Sequence, residues 1–148
     1  MRRTRLVSTA AVSLGTAALL ATTAAAAGAP TITSLKAAQS GNKVTVTIKT
    51  KSFTIDTKDV GKKAKAGKGH EHFAMDGGKY DFPKYSGANG KLAKQLGTQG
   101  KYSPSVNNKV TYTGLPKGTH KVTVFLVRNN HADYPNAGAK KTMTFTVK

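Results

Sequence analysis

Residues 43–50 read K-V-T-V-T-I-K-T, and the fold turns on how this octet is read. Val44, Val46 and Ile48 alternate with Thr45, Thr47 and Lys49. A period of two puts the aliphatic side chains on one face of an extended chain and the Thr and Lys on the other. That is a half-buried strand with a solvated outer face, as antiparallel sheets have. Residues 142–147, T-M-T-F-T-V, repeat the pattern and point Met143, Phe145 and Val147 inward. Shorter extended stretches fall at residues 32–35, at Phe53 and Ile55, and at residues 109–112. Residues 121–128 are almost continuously apolar, which predicts a central strand covered on both sides. Ser40-Gly41-Asn42 and Leu115-Pro116-Lys117-Gly118 supply turn chemistry between these runs. No segment carries a long helical period. With a further strand at residues 69–77, the pattern predicts an all-β protein, an immunoglobulin-like antiparallel β-sandwich of about seven strands.

The N-terminus reads as an address. Arg2, Arg3 and Arg5 precede an apolar stretch at residues 6–21, and Ala24 to Ala27 suit an A-x-A cleavage site. This predicts a secretory signal peptide over residues 1–27 and a mature sandwich domain over residues 28–148, secreted or held at the cell surface. Thr, Ser, Gly and Ala dilute the apolar stretch, which argues against a retained membrane anchor, so no transmembrane segment is expected after cleavage. The 148-residue chain has no Cys and no Trp. Disulfides, thiolate metal sites, a Cys nucleophile and the Cys…Trp…Cys signature of antibody domains are therefore excluded.

All four His lie in the expected mature domain, at positions 70, 72, 120 and 131. In G-H-E-H-F-A-M-D-G, residues 69–77, alternation places His70, His72 and Ala74 on one face and Glu71, Phe73 and Met75 on the other. Phe73 and Met75 are core residues by type, so both His are expected to point outward. If this strand and the one at residues 121–128 are antiparallel neighbours, as strands C and F of such sandwiches are, the start of one lies beside the end of the other. The chain leaving the second strand, R-N-N-H-A-D-Y, carries His131 to that end. His70, His72 and His131 are thus the candidate metal ligands, with Glu71 and Asp133 as nearby oxygen ligands or supporting partners. Three imidazoles without a thiolate suit one Cu(II) or Zn(II), with copper first by affinity order; no organic cofactor is implied. His120 begins the second strand, roughly 35 Å of extended chain from His131 at about 3.3 Å per residue, and is expected in a corner hydrogen bond. Asp76, before Gly77-Gly78, reads as a turn residue.

The order G-H-x-H with a following Asp, then L-P-x-G-x-H, then N-N-H resembles a family of short exported bacterial domains of unassigned function. The likeness covers residues 43–147 and matches His70, His72, Asp76, His120 and His131. It implies an immunoglobulin-like sandwich and no established activity. Residues 78–108 depart from the compact pattern. The H-x-H also resembles that of copper–zinc superoxide dismutases, but their copper site needs a fourth imidazole, and His120 is placed at the wrong end.

The formal charge is +18, and +15 once residues 1–27 are set aside. Twenty of the remaining basic residues are Lys, and Arg128 is the one Arg. A scattered Lys surface attracts anionic cell-wall or matrix polymers without choosing among them, and gives no reason to expect specific nucleic-acid recognition. Lys62, Lys63, Lys65 and Lys68 cluster in a basic loop over residues 60–68. Tyr80, Phe82, Tyr85 and Tyr102, interleaved with Lys79, Lys84 and Lys101, are read as rings covering the sandwich edge. Residues 77–108 are expected to hold an edge strand and one helical turn at residues 91–96. No nucleophile elbow, phosphate loop or dinucleotide fingerprint appears, so the reading is a non-catalytic metal-binding domain. The alternative is a basic wall-associated domain with no metal.

Overall fold

A computed structural model describes residues 28–80 and 102–148. The expected signal peptide, the helical turn at residues 91–96, and Phe82, Lys84, Tyr85 and Lys101 lie outside the described residues.

Eight strands are described: β1 (Thr31–Ser40), β2 (Lys43–Lys51), β3 (Thr54–Ile55), β4 (Lys68–Met75), β5 (Ser103–Ser105), β6 (Lys109–Thr113), β7 (Gly118–Arg128) and β8 (Lys140–Val147). They form two sheets, β1-β2-β6 and β3-β4-β7-β8, with β5 pairing on β4. This is the A-B-E against C-F-G order of an immunoglobulin-like sandwich. All pairings are antiparallel except the short β3–β4 pair. The alternating residues of β2 behave as their pattern demands: Val44, Val46 and Ile48 are buried. They meet Phe73 and Met75 of β4, Val122, Val124 and Leu126 of β7, and Tyr112 of β6 in one core. Each such aliphatic or aromatic side chain contributes roughly 1.5–3 kcal/mol by leaving water.

Three expectations change. The first strand runs ten residues rather than four, because Thr31–Ser40 pairs with β2 along its whole length, interrupted only by a register shift at Thr33. β7 is covered on both sides only toward its C-terminal end, where Val127 is fully buried; Lys121 is exposed and Thr123 half-buried on the same face. The third concerns β4, whose residues from Gly69 to Met75 are all buried, on both faces. The long stretch before β6 does contain the expected edge strand, β5.

The β4–β7 ladder positions His70, His72 and His120. Gly69 pairs with Arg128, His70 with Val127, His72 with Phe125, and Met75 with Val122. Gly69 makes the close approach possible. A Cβ there would stand 1.8 Å from the Val127 carbonyl oxygen, so no other residue fits without moving the strands apart. No helix among the described residues is long and apolar enough to cross a membrane.

Candidate metal centre

The ladder register puts His70 and His72 side by side on the outer face of the sheet, at the end where β4 begins and β7 leaves. Beyond Arg128 the chain turns back at once. The His131 amide donates to the Arg128 carbonyl (2.9 Å), and the Arg128 amide donates to the Ala132 carbonyl (2.8 Å). His131 itself sits at φ 64°, in the left-handed region where non-glycine residues cost about 1 kcal/mol or more. The turn is held from outside. Asn129 is fully buried, its side-chain amide donates to Asp56 Oδ2 (3.2 Å), and its carbonyl accepts from the Gly61 amide (2.6 Å). That anchoring keeps His131 over the sheet despite its backbone strain.

The three rings pack against one another. Centroids are 4.9 Å apart for His70 and His72, 4.5 Å for His70 and His131, and 5.4 Å for His72 and His131. One ring nitrogen from each lies within 4.8 Å of the others, so the cluster could hold a metal ion. His70 Nε2 and His72 Nε2 are 3.1 Å apart. Two nitrogens bound to one tetrahedral Zn²⁺ at about 2.0–2.1 Å each would be about 3.3 Å apart, so this pair is nearly preset for chelation. Tyr102 stacks on His72, centroids 5.0 Å apart and planes within 16°. Tyr102 in turn meets Phe125 edge-on.

The electrostatics favour neutral rings with lone pairs to offer. Burial lowers the His70 pKa to about 4 and the His72 pKa to about 3, and the neighbouring imidazoles add to both shifts. Burial lowers that of His131 as well. Neutral imidazole is the form that binds a metal.

The expectation that His70 and His72 point outward holds for the face but not for exposure. They are 2% and 4% exposed, because Tyr102 and the His131 turn cover the outer face at this end. Neither expected oxygen neighbour joins the cluster. Glu71 points to the inner face, opposite Leu126, and is fully buried. Burial pushes its carboxyl up to about 7, against a weaker pull from nearby backbone and the Ser105 hydroxyl. Asp133 is exposed, and its backbone bridges to Val127. Met75 is a core residue, as its type suggested.

His120 lies at the other end of the ladder, in the expected corner hydrogen bonds. Its Nδ1 is 2.7 Å from Asp76 Oδ2 and its Nε2 is 2.8 Å from the Pro116 carbonyl oxygen. Asp76 Oδ1 accepts from the Lys121 amide at 2.7 Å. Asp76, in the 3-10 turn Asp76–Gly78 that ends β4, is therefore a clasp as well as a turn residue. Tyr80 packs edge-on against His120, in keeping with a ring that covers the sandwich edge.

Sequence reasoning places Tyr102 only among the rings covering the sandwich edge, not over His72, and assigns no role to Asn129 or Asp56. Asn129 stood in R-N-N-H and its spacing was visible; its partner, 73 residues away, was not. No family model matches the chain, and no curated protein or solved structure matches it either.

Proposed function

We propose that this chain is an exported, non-catalytic β-sandwich that binds one Cu(II) or Zn(II) through His70, His72 and His131. One observation carries the reading. Seven buried side-chain polar atoms lack a hydrogen-bond partner among the described residues, and three of them are ring nitrogens of this cluster: His70 Nδ1, His131 Nδ1 and His131 Nε2. Each unpaired buried polar group costs about 1–3 kcal/mol, so three of them on facing imidazoles are donor atoms that a metal ion would satisfy. The backbone strain at His131 supports the same reading, since strained residues concentrate where function requires them. Copper comes before zinc on affinity order alone. Export rests on the n-region, the apolar stretch and the Ala-rich end of residues 1–27. The order of the G-H-x-H, L-P-x-G-x-H and N-N-H elements supports placing the chain among the short exported domains it resembles.

The test is titration of the metal-free mature domain with Cu(II) and with Zn(II), followed by calorimetry and thermal melting. One-to-one binding that raises the melting temperature is expected, because a ligand bound only by the folded state stabilises it by mass action. No saturable binding of either ion would retire the proposal.

A further inference from the structure

A second feature lies close to the His131 turn but belongs to different side chains. An open cleft of about 390 Å³ is lined by Pro30, Ala64, Lys65, Ala66, Arg128 and Tyr134, among others. That volume lies within the usual range for small-molecule sites, about 300–1,000 Å³. Arg128 is the sole Arg outside residues 1–27. Its guanidinium lies over the Tyr134 ring, 5.2 Å from the centroid. The ring is fixed in turn: its hydroxyl donates to the Lys68 carbonyl (2.9 Å), and Phe53 packs against it edge-on.

Among the described residues Arg128 pairs with no carboxylate. The loop above it is rich in cations. Lys62 and Lys65 share Asp59, which leaves Lys63 and Lys68 without an ion pair among the described residues. A guanidinium with no ion-pair partner among the described residues, lying over a fixed ring and set in an electropositive corner, is a fork available to a two-oxygen anion. The cleft wall beside it, Pro30, Ala64 and Ala66, is apolar and offers a face to C–H groups. Scattered Lys would attract any polyanion by counterion release. The fork itself takes a carboxylate or a phosphate, and the apolar wall beside it favours an anion carried on a ring that can pack against Pro30, Ala64 and Ala66.

We propose that this cleft binds the carboxylate of an acidic sugar unit, gripped by Arg128, as in a uronate-containing polysaccharide. The proposal is independent of the metal site, since none of the three clustered His lines the cleft.

The test measures binding of the mature domain to polygalacturonate at about 0.15 M ionic strength, where diffuse attraction is screened. Arg128→Lys keeps the charge and loses the fork, and is expected to weaken binding about tenfold. Lys63→Gln removes a whole charge from the same corner and is expected to change binding less than about twofold. Equal losses in the two variants, or none with Arg128→Lys, would overturn the proposal. A polyglycerol phosphate and a short DNA duplex serve as parallel probes. A larger Arg128 effect with either would overturn the assignment to a carboxylate sugar. Should Arg128→Lys fold poorly by its melting curve, NMR titration of the wild-type domain decides. Galacturonate must shift the Arg128 side-chain Nε–H resonance and galactose must not; a silent Arg128 overturns the proposal. One-to-one metal binding, measured on the same samples, reports separately on the His cluster.

Discussion

The β4–β7 ladder carries histidines at both ends, and the two ends hold them in opposite charge states. At the end where β4 starts, His70, His72 and His131 are packed ring on ring, their pKa values pushed down chiefly by burial. At the end where β7 starts, His120 is just as inaccessible, at 5% exposed, but both of its nitrogens face acceptors. A carboxylate and a backbone carbonyl cannot donate, so both nitrogens must carry protons and the ring must be an imidazolium. Burial alone would lower its pKa; the Pro116 carbonyl and Asp76 outweigh that and raise it. Burial is therefore common to both ends, and what differs is the partner. A His with two acceptors is a finished structural bond. A group of neutral rings with orphaned nitrogens is unfinished, and its geometry could hold a cation.

The change that would break both ends together is Gly69→Ala. The added Cβ meets the Val127 carbonyl at 1.8 Å, and neither strand can yield without shifting the ladder. We expect a loss of about 3 kcal/mol or more in chemical denaturation, with metal binding lost as well. A variant as stable as wild type would mean that β4 and β7 are not as close as described.

His72→Ala and His131→Ala should separate the two ends. Each is expected to weaken Cu(II) or Zn(II) binding by more than about 100-fold, since removing a ligand must exceed the roughly 10–100-fold typical of losing a ligand's supporting partner. His120→Ala should leave the metal affinity unchanged. If His120→Ala also abolishes binding, the site is not where the three rings meet.

Asp76→Ala addresses the opposite end. It removes two hydrogen bonds, to the Lys121 amide and to the His120 ring. A hydrogen bond to a charged group is worth about 1.5–3 kcal/mol, so two come to roughly 3–6 kcal/mol; solvent screening of the partly exposed Asp76 brings the expected loss to about 2–3 kcal/mol, with metal titration unaltered. A stability loss below about 0.5 kcal/mol would show that the clasp is only decorative, in the range of a neutral surface change.

The pH dependence should have opposite signs at the two ends of the metal-free domain. A raised folded pKa, as at His120, gives stability that is complete below the ordinary imidazole value of about 6.5 and is lost as pH rises through the folded value. The lowered values of about 4 and about 3 at His70 and His72 act the other way. Their neutral burial is free of penalty above about pH 6.5, and stability falls as the pH drops toward those values. Glu71, whose carboxyl burial raises from 4.5 to about 7, acts with the same sign as His120: its stability is complete below about pH 4.5 and lost as pH rises through the raised value. Urea midpoints measured across pH should fall on both sides, and His120→Ala should make the alkaline side shallower, leaving the Glu71 share and the acid side in place. An unchanged alkaline side in that variant would contradict the imidazolium.

Part of this was legible in the sequence because it is local. The alternation in residues 43–50 sorts Val from Thr without reference to any other element, and those Val are buried. The meeting of His70, His72 and His131 needed one non-local rule, that two strands of the predicted sandwich are antiparallel neighbours, and the register obeys it. What failed was the environment of the ligands. His70 and His72 were expected in solvent because their strand offers the core Phe73 and Met75 instead. The cover comes from Tyr102, on the chain entering an edge strand, and from a turn clamped by Asp56. No period in β4 encodes either one.

Asp133→Ala gives the smallest expected effect and sharpens the comparison most. The spacing N-N-H-A-D made Asp133 an attractive oxygen donor beside His131. The fold sends it elsewhere: residue 133 is exposed and bridges by its backbone to Val127, a contact that an Ala keeps. Loss of an exposed carboxylate away from the rings should shift stability by no more than about 0.5 kcal/mol and metal affinity by less than about threefold. The same small result is expected with Cu(II) and with Zn(II), because a site of neutral imidazoles alone leaves the ion's full charge uncompensated by protein. A tenfold loss would mean that a carboxylate swings in to neutralise part of that charge. The metal end would then resemble the His120 end, with imidazole and carboxylate sharing one bond, and the contrast between a finished and an unfinished site would fail at this residue.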